Sequence, residues 1–245
     1  MALCSEGKAL ILDAGFPLKE VRRRLDDAGV GLSEIAGVLI THEHTDHARG
    51  IGKFLYHGRA PVAANAGTAA ALRSTFGVDG VQPLANGEQV TFGGFLVRPI
   101  AVPHDSADCA GYEIEFGERR LLYATDLGAV PEALVEAGRR SDIAVLESNH
   151  DRDMLWGGTY PQFLKERIAG GRGHLSNEQA AQAVAKMAGG RLRKVVLAHL
   201  SQENNRPEAA VLAVKGALRA GAGLEAFSVS VEAAPKDGPA VVAIH

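Results

Sequence analysis

Two cysteines, Cys4 and Cys109, stand among 245 residues. They are too few and too far apart for a disulfide framework or a Cys-x-x-Cys metal or redox pair, which fits a reducing, cytoplasmic setting. Aromatic residues make up only 5% of the chain. Neither sign of charge dominates, with 29 acidic against 26 basic residues and a formal net charge of -3. No global positive field therefore draws in nucleic acid, and any such contact must use a local patch. No window reaches the roughly 18 apolar residues of a membrane span, and the N-terminus lacks the basic region and apolar run of a signal peptide, so no membrane partner is expected. Internal repeats, low-complexity tracts and dividing linkers are also missing. What is present is 46% hydrophobic content, enough for one sizeable core, and the expectation is a single α/β domain over residues 1–245.

Short apolar runs, Ala9 to Leu12, Gly37 to Ile40 and Val195 to Ala198, alternate with longer helical patterns, as in mixed α/β layers. Leu18, Val21 and Leu25 recur at helical spacing, so Leu18 to Ala28 reads as an amphipathic helix with Arg22, Arg23 and Arg24 on its solvated side. From Val81 to Tyr123 the pattern tightens into strands at Gln89 to Phe92, Phe95 to Ala101, Ala110 to Phe116 and Arg120 to Tyr123, with turns at Gly93-Gly94 and Gly117-Glu118. Helices follow near Pro131 to Ala137, Pro161 to Ile168, Asn177 to Met187 and from Pro207, with strands at Ile143 to Glu147 and Lys194 to Ala198.

The strongest chemical signal is Thr41-His42-Glu43-His44-Thr45-Asp46-His47, directly after the apolar Val38-Leu39-Ile40. Three imidazoles and a carboxylate suit zinc, manganese or iron(II), which accept mixed nitrogen and oxygen donors. Residues this close in sequence point in alternate directions, so one ion would not use all four comfortably, whereas two would. A dinuclear site needs further ligands, and His104, Asp126 and His199 each follow an apolar strand. Taken singly, each is more often a cap or a satisfied polar residue.

Together, H-x-H-x-D-H, a later His, an Asp and a final His resemble the metallo-β-lactamase superfamily. That resemblance implies an αββα sandwich of two mixed β-sheets flanked by helices. It also implies two divalent ions per chain: His42, His44 and His104 on one, Asp46, His47 and His199 on the other, and Asp126 bridging. Such a pair would hold a hydroxide between two cations, where its pKa falls toward neutrality, with Asp46 orienting the attacking water. Manganese and zinc are favoured over iron. The metal motif alone names no substrate.

A narrower likeness is carried by Thr125-Asp126-Leu127-Gly128, Leu146-Glu147-Ser148-Asn149-His150-Asp151, Arg172-Gly173-His174-Leu175-Ser176-Asn177 and Ala198-His199-Leu200-Ser201-Gln202-Glu203-Asn204-Asn205. These strings are similar to the YycJ or WalJ-like bacterial proteins, regarded as 5′-to-3′ DNA exonucleases, which implies phosphodiester hydrolysis and nucleic acid as substrate. Ser176 and Gln179 form a capping-box pattern, so Gly173-His174-Leu175 leads into a helix N-terminus, a natural phosphate site. His174 and Ser176 are thus candidate phosphate ligands, with His174 alternatively the acid that protonates the leaving oxygen, or simply a loop cap. His150 is read as a support holding a metal ligand by a hydrogen bond, with ligation and substrate contact as the other possibilities. Arg152, Lys165, Arg167 and Arg172, with Trp156 and Tyr160, make either the wall of a nucleic-acid groove or an ordinary charged surface. His57 and His245 are expected to be uninvolved.

Two rival functions use the same ligands: hydrolysis of a small ester, thioester or lactone in a narrow apolar pocket, or a non-catalytic metal-containing module that binds nucleic acid or a regulatory partner. Seven ligands argue against a purely structural site, which usually closes at four. Relatives in the group start with an additional strand and a Ser/Gly/Asn-rich turn, whereas this sequence soon reaches Leu12-Asp13-Ala14-Gly15. The first N-terminal strand is therefore expected to be missing, leaving a sheet edge that a second subunit of a dimer would cover.

Overall fold

The computed structural model describes residues 1–57, 60–221 and 228–235, so His245 lies outside the described residues. The chain gathers into two compact units, Met1–Ala101 with Ser106–Ala110, and Val102–Asp105 with Gly111–Lys236.

The first unit contains β1 (Ala2–Ser5), β2 (Lys8–Leu12), α1 (Leu18–Asp27), β3 (Ile35–Ile40), α2 (Thr45–Ala48), α3 (Ile51–His57), β4 (Val62–Asn65), α4 (Ala66–Phe76), β5 (Val81–Leu84), β6 (Val90–Phe92) and β7 (Phe95–Ala101). Its main sheet runs in the order β1-β2-β3-β4-β5, with β1 antiparallel to β2 and the other neighbours parallel. Parallel strands covered on both faces read as continuous apolar runs, and Val38, Leu39 and Ile40 of β3 are fully buried. Ile11, Val38, Ile40, Val62 and Ala64 share one core with Leu25 of α1, Ile51 and Phe54 of α3 and Leu72 of α4. Strands β6 and β7 form a hairpin pairing Phe92 with Phe95. Its turn residues, Gly93 and Gly94, both take positive φ, as a two-residue type I′ turn requires.

The second unit holds β8 (Ala110–Phe116), β9 (Arg119–Ala124), α5 (Glu132–Arg140), β10 (Ile143–Glu147), α6 (Arg152–Gly157), α7 (Gln162–Ala169), α8 (Asn177–Met187), β11 (Lys194–Ala198), α9 (Pro207–Gly221) and β12 (Ser230–Ala233). The strands lie in the order β12-β11-β10-β9-β8. The pair β8 and β9 is antiparallel, and β9 through β12 run parallel. Every residue of β10 is buried, as a central parallel strand demands. On α8, Ala180, Ala181, Ala183, Val184 and Met187 are buried. The Met187 side chain sits so close over Gly138 of α5 that a Cβ there would lie 2.4 Å from its sulfur.

Open parallel sheets present loops beyond the carboxyl ends of their strands, which is where ligands bind. Asp13 follows β2, His42 comes just after β3, Asp126 just after β9, Glu147 ends β10 and His199 follows β11. Three of these residues, Asp13 (φ 64°), Asp126 (φ 61°) and His199 (φ 56°), adopt left-handed backbone. That conformation costs an L-residue about 1–2 kcal/mol and turns the side chain sharply out of the strand direction.

Candidate metal centre

In the first unit the loop after β3 gathers three rings. His42 lies 4.4 Å from His44 and 4.2 Å from His47 between ring centroids. His42 and His47 are buried, and His44 is half-buried. Asp46 sits beside His47, with 3.5 Å between its Oδ2 and Nε2, and its side chain is 71% exposed. Beneath the loop lies Asp13. Its carboxylate accepts the Thr41 amide at 2.8 Å and the Thr41 hydroxyl at 2.9 Å, and His47 Nδ1 donates to it at 2.9 Å. Thr41 Oγ1 is in turn 3.0 Å from His42 Nδ1. Burial alone would raise the Asp13 pKa, but the charge and hydrogen bond of His47 outweigh it and hold the carboxyl below its usual range. Gly15 brings the segment after Asp13 against the metal loop, since a Cβ there would fall 1.6 Å from the Asp46 carbonyl oxygen.

In the second unit, His174 stands between His104 and His199, with ring centroids 5.2 and 5.3 Å away. His104 Nδ1 donates to the Gly173 carbonyl at 3.1 Å, and burial lowers its pKa. Glu147 is the hub: its Oε1 accepts His199 Nδ1 at 2.7 Å, His174 Nδ1 at 2.9 Å and the Asp126 amide at 3.3 Å. Its Oε2 accepts the amides of Leu175 at 2.9 Å and Leu127 at 3.2 Å. Glu147 is completely buried. Burial opposes its ionisation, but the hydrogen bonds from His174 and His199 prevail and push its pKa well below the carboxylate range. Burial likewise opposes a proton on His174, and the Glu147 hydrogen bond and charge raise its pKa nonetheless. One atom each of Asp126, Glu147, His174 and His199 lies within 4.8 Å of the others. With five donors already on its two oxygens, Glu147 is saturated and acts as an anchor for rings rather than as a ligand itself.

The helix terminus at Ser176 differs from the phosphate cradle expected of it. The capping box is present, with Ser176 Oγ accepting the Gln179 amide at 3.2 Å and Gln179 Oε1 accepting the Ser176 amide at 2.9 Å. The Asn177 amide goes to the His150 carbonyl and the Leu175 amide to Glu147. Ser176 is 2% exposed, and its hydroxyl and these amides are engaged within the fold. His150 is 1% exposed, its Nδ1 meets no hydrogen-bond partner among the described residues, and burial lowers its pKa. Glu147 is the carboxylate that holds the His174 and His199 rings. Sequence reasoning passed over both Asp13 and Glu147, although each is a carboxylate placed at the end of a buried apolar run.

A β-lactamase superfamily domain model matches residues 9–200, and the chain belongs to that superfamily, with the two mixed sheets and flanking helices of the metallo-β-lactamase fold. Within it, the chain falls in the YycJ/WalJ group. It is 34% identical over 217 residues to Exodeoxyribonuclease YycJ of Bacillus anthracis, covering 87% of this chain and 82% of that one. It is 33% identical over 208 residues to Exodeoxyribonuclease WalJ of Streptococcus pneumoniae, covering 83% and 77%. Among solved structures, the metallo-β-lactamase fold protein YhfI from Bacillus subtilis aligns over 97% of this chain and 88% of its own with a TM-score of 0.69, at 16% identity. The fold and its His/Asp clusters define a site for divalent metal. Among the described residues no helix is long and apolar enough to cross a membrane.

Proposed function

We propose that this chain is a dinuclear metal-dependent phosphodiesterase that removes nucleotides from the 5′ end of DNA. One observation carries the metal chemistry: His47, His104, His174 and His199 each meet an oxygen acceptor through Nδ1. A ring so held keeps its proton on Nδ1 and its lone pair on Nε2, the arrangement of a metal-ligating or proton-transferring imidazole. The donor set of imidazoles and carboxylates fits zinc or manganese. On the superfamily pattern, His42, His44, His104, Asp46, His47, His199 and Asp126 would hold the two ions.

When bound, divalent cations would supply Lewis acidity and make a water acidic enough to attack near neutral pH. The chain's own groups do the rest. Asp46, the most exposed of the proposed ligands, orients the attacking water. His174, whose proton affinity Glu147 raises, passes a proton from Nε2 to the leaving sugar oxygen and carries positive charge beside the phosphoryl group as negative charge builds on it. Ser176 contributes by fixing the turn that carries His174. The choice of DNA is supported by the YycJ and WalJ exodeoxyribonucleases, which share a third of its residues over most of its length.

The test is a time course on 5′-phosphorylated, end-labelled duplex and single-stranded DNA with manganese or zinc, with Asp46→Ala as the contamination control. Mononucleotides released from the 5′ end by the wild type alone are expected. A wild type that cleaves neither DNA nor RNA but hydrolyses thioesters or lactones would overturn the reading.

A further inference from the structure

The chain has one tryptophan and eight phenylalanines, and most large apolar side chains among the second unit's described residues are buried. Among the described residues of that unit, the large apolar side chains that stay exposed are Trp156 at 42%, Phe163 at 72% and Leu212 at 69%. The two aromatic ones sit on consecutive short helices, α6 and α7, between the His150 and His174 loops. Lys165, expected either in a nucleic-acid groove or on an ordinary charged surface, is buried, and its Nζ donates to the carbonyls of Trp156 at 2.8 Å and Gly158 at 2.7 Å. This fixes the inner face of α7 against the end of α6. Phe163, two residues earlier, points the other way, and Arg167, four residues after it, shares its outward face about 6 Å along the axis.

From Arg167 the contacts lead to a proposed metal ligand. Arg167 reaches Asp105 Oδ2 through Nε at 2.6 Å and Nη2 at 2.5 Å. Asp105 Oδ1 lies 3.2 Å from His104 Nε2, and Arg172 Nε donates to the His104 carbonyl at 2.9 Å. The exposed charges of this segment are Arg152, Arg167 and Arg172 against Asp153 and Glu166, and Glu166 accepts from Gln162 at 2.8 Å. With Asp105, which holds Arg167, three arginines face three carboxylates, so this surface is balanced in charge within a chain of net charge -3.

Resting on the nuclease reading, we propose that the outward face of α7 with the end of α6 is the surface on which single-stranded DNA stacks as it enters the metal centre. Phe163 and Trp156 take base faces, and Arg167 and Arg172 take phosphates. Rings alternating with guanidinium groups are what a single strand offers partners for: π-faces every few ångströms, linked by anionic phosphates. A helix that docks on protein would present several apolar anchors at three- and four-residue spacing, and here Phe163 stands exposed with Leu164 and Ile168 half-buried.

Trp156 is the only tryptophan, so intrinsic fluorescence reports this surface directly. The zinc-loaded full chain is titrated with phosphorothioate oligothymidylate of about a dozen nucleotides, within the site sizes of single-strand binders. Quenching is expected, with the dissociation constant raised about tenfold by Phe163→Ser and unmoved by Leu212→Ser, which removes the unit's other exposed apolar side chain. Cleavage of DNA by a wild type whose tryptophan is not quenched would overturn this surface and leave the nuclease reading standing, whereas absence of both would overturn both. Unchanged DNA affinity in Phe163→Ser, with loss of a wild-type dimer, would overturn it in favour of a protein interface.

Discussion

Glu147 Oε1 accepts a hydrogen bond from His199 Nδ1 at 2.7 Å, and the same oxygen accepts from His174 Nδ1 at 2.9 Å. A single buried carboxylate atom therefore sets the tautomer of a proposed metal ligand and of the proposed acid together. Glu147→Gln keeps the shape but removes the charge, and is expected to weaken metal binding by about 10–100-fold, the usual effect of losing a partner behind a ligand. Competition with a chromophoric chelator measures it. Glutamine keeps one acceptor oxygen, enough for the amides of Leu127 and Leu175, whereas Glu147→Ala strips the acceptor from these two as well, each costing about 1–3 kcal/mol when left unmet. Its denaturation midpoint should fall well below that of the Gln variant, and equal midpoints would remove Glu147 from its role as backbone anchor.

Asp13 plays the corresponding part in the first unit, where it holds His47 and Thr41 from left-handed backbone. Asparagine tolerates that backbone and keeps an acceptor oxygen, whereas alanine loses the acceptor and takes on strain of about 1–2 kcal/mol. Asp13→Asn is therefore expected to fold normally and bind metal about tenfold more weakly, and Asp13→Ala to lose stability as well. Chemical denaturation of the metal-free variants separates the two effects. Equal stability of both would show that the positive φ at Asp13 carries no cost.

Much of this organisation is legible in the sequence, for identifiable reasons. Strands β3, β10 and β11 announce themselves because central parallel strands are apolar on both faces, and the β6-β7 and β8-β9 hairpins because Gly93-Gly94 and Gly117-Glu118 are turn dipeptides between alternating runs. The elements passed over are β1, α2, β4, α4, β5, α6 and β12. Strands such as Val62–Asn65 are four residues of mostly small side chains, and α4 is rich in alanine with little difference between its faces, so periodicity has nothing to work on. The His and Asp positions were readable from spacing, but the anchors were not. Glu147 and Asp13 lie far from the rings they hold, 52 residues from His199 and 34 from His47, and only folding reveals that a strand-end carboxylate meets a ring. At Ser176 the capping box was legible, but not that the neighbouring amides would meet His150 and Glu147.

Glu43, the residue between His42 and His44, ties two loops together. Its Oε1 accepts the Ala107 amide at 2.8 Å, and the Ala110 amide donates to the Thr41 carbonyl at 3.1 Å. The segment that follows His104 is thereby fixed to the loop that carries His42. Glu43→Ala should release it and weaken metal binding several-fold, while Glu43→Gln, whose amide oxygen still accepts, should restore binding to near the wild-type value. Isothermal titration of both variants with zinc decides this. A Gln variant as weak as the Ala variant would mean that the negative charge of Glu43 matters and its hydrogen bond does not.

The positive-φ residue away from the site gives a control for the strain argument. Glu6 (φ 49°) and Gly7 (φ 70°) form the turn between Ser5 and Lys8 of the paired β1 and β2, a two-residue loop whose geometry favours Asn-Gly. Glutamate there accepts left-handed backbone with no ligand to position. Glu6→Asn should therefore stabilise the protein by about 0.5–1 kcal/mol, at the modest end of what relief of such backbone yields. An increase in the urea midpoint with unchanged slope is the expected record, and metal affinity should not move. Should the midpoint stay put, the turn would be bearing no measurable strain, and the left-handed backbone at Asp126 and His199 would have to be regarded as equally inexpensive.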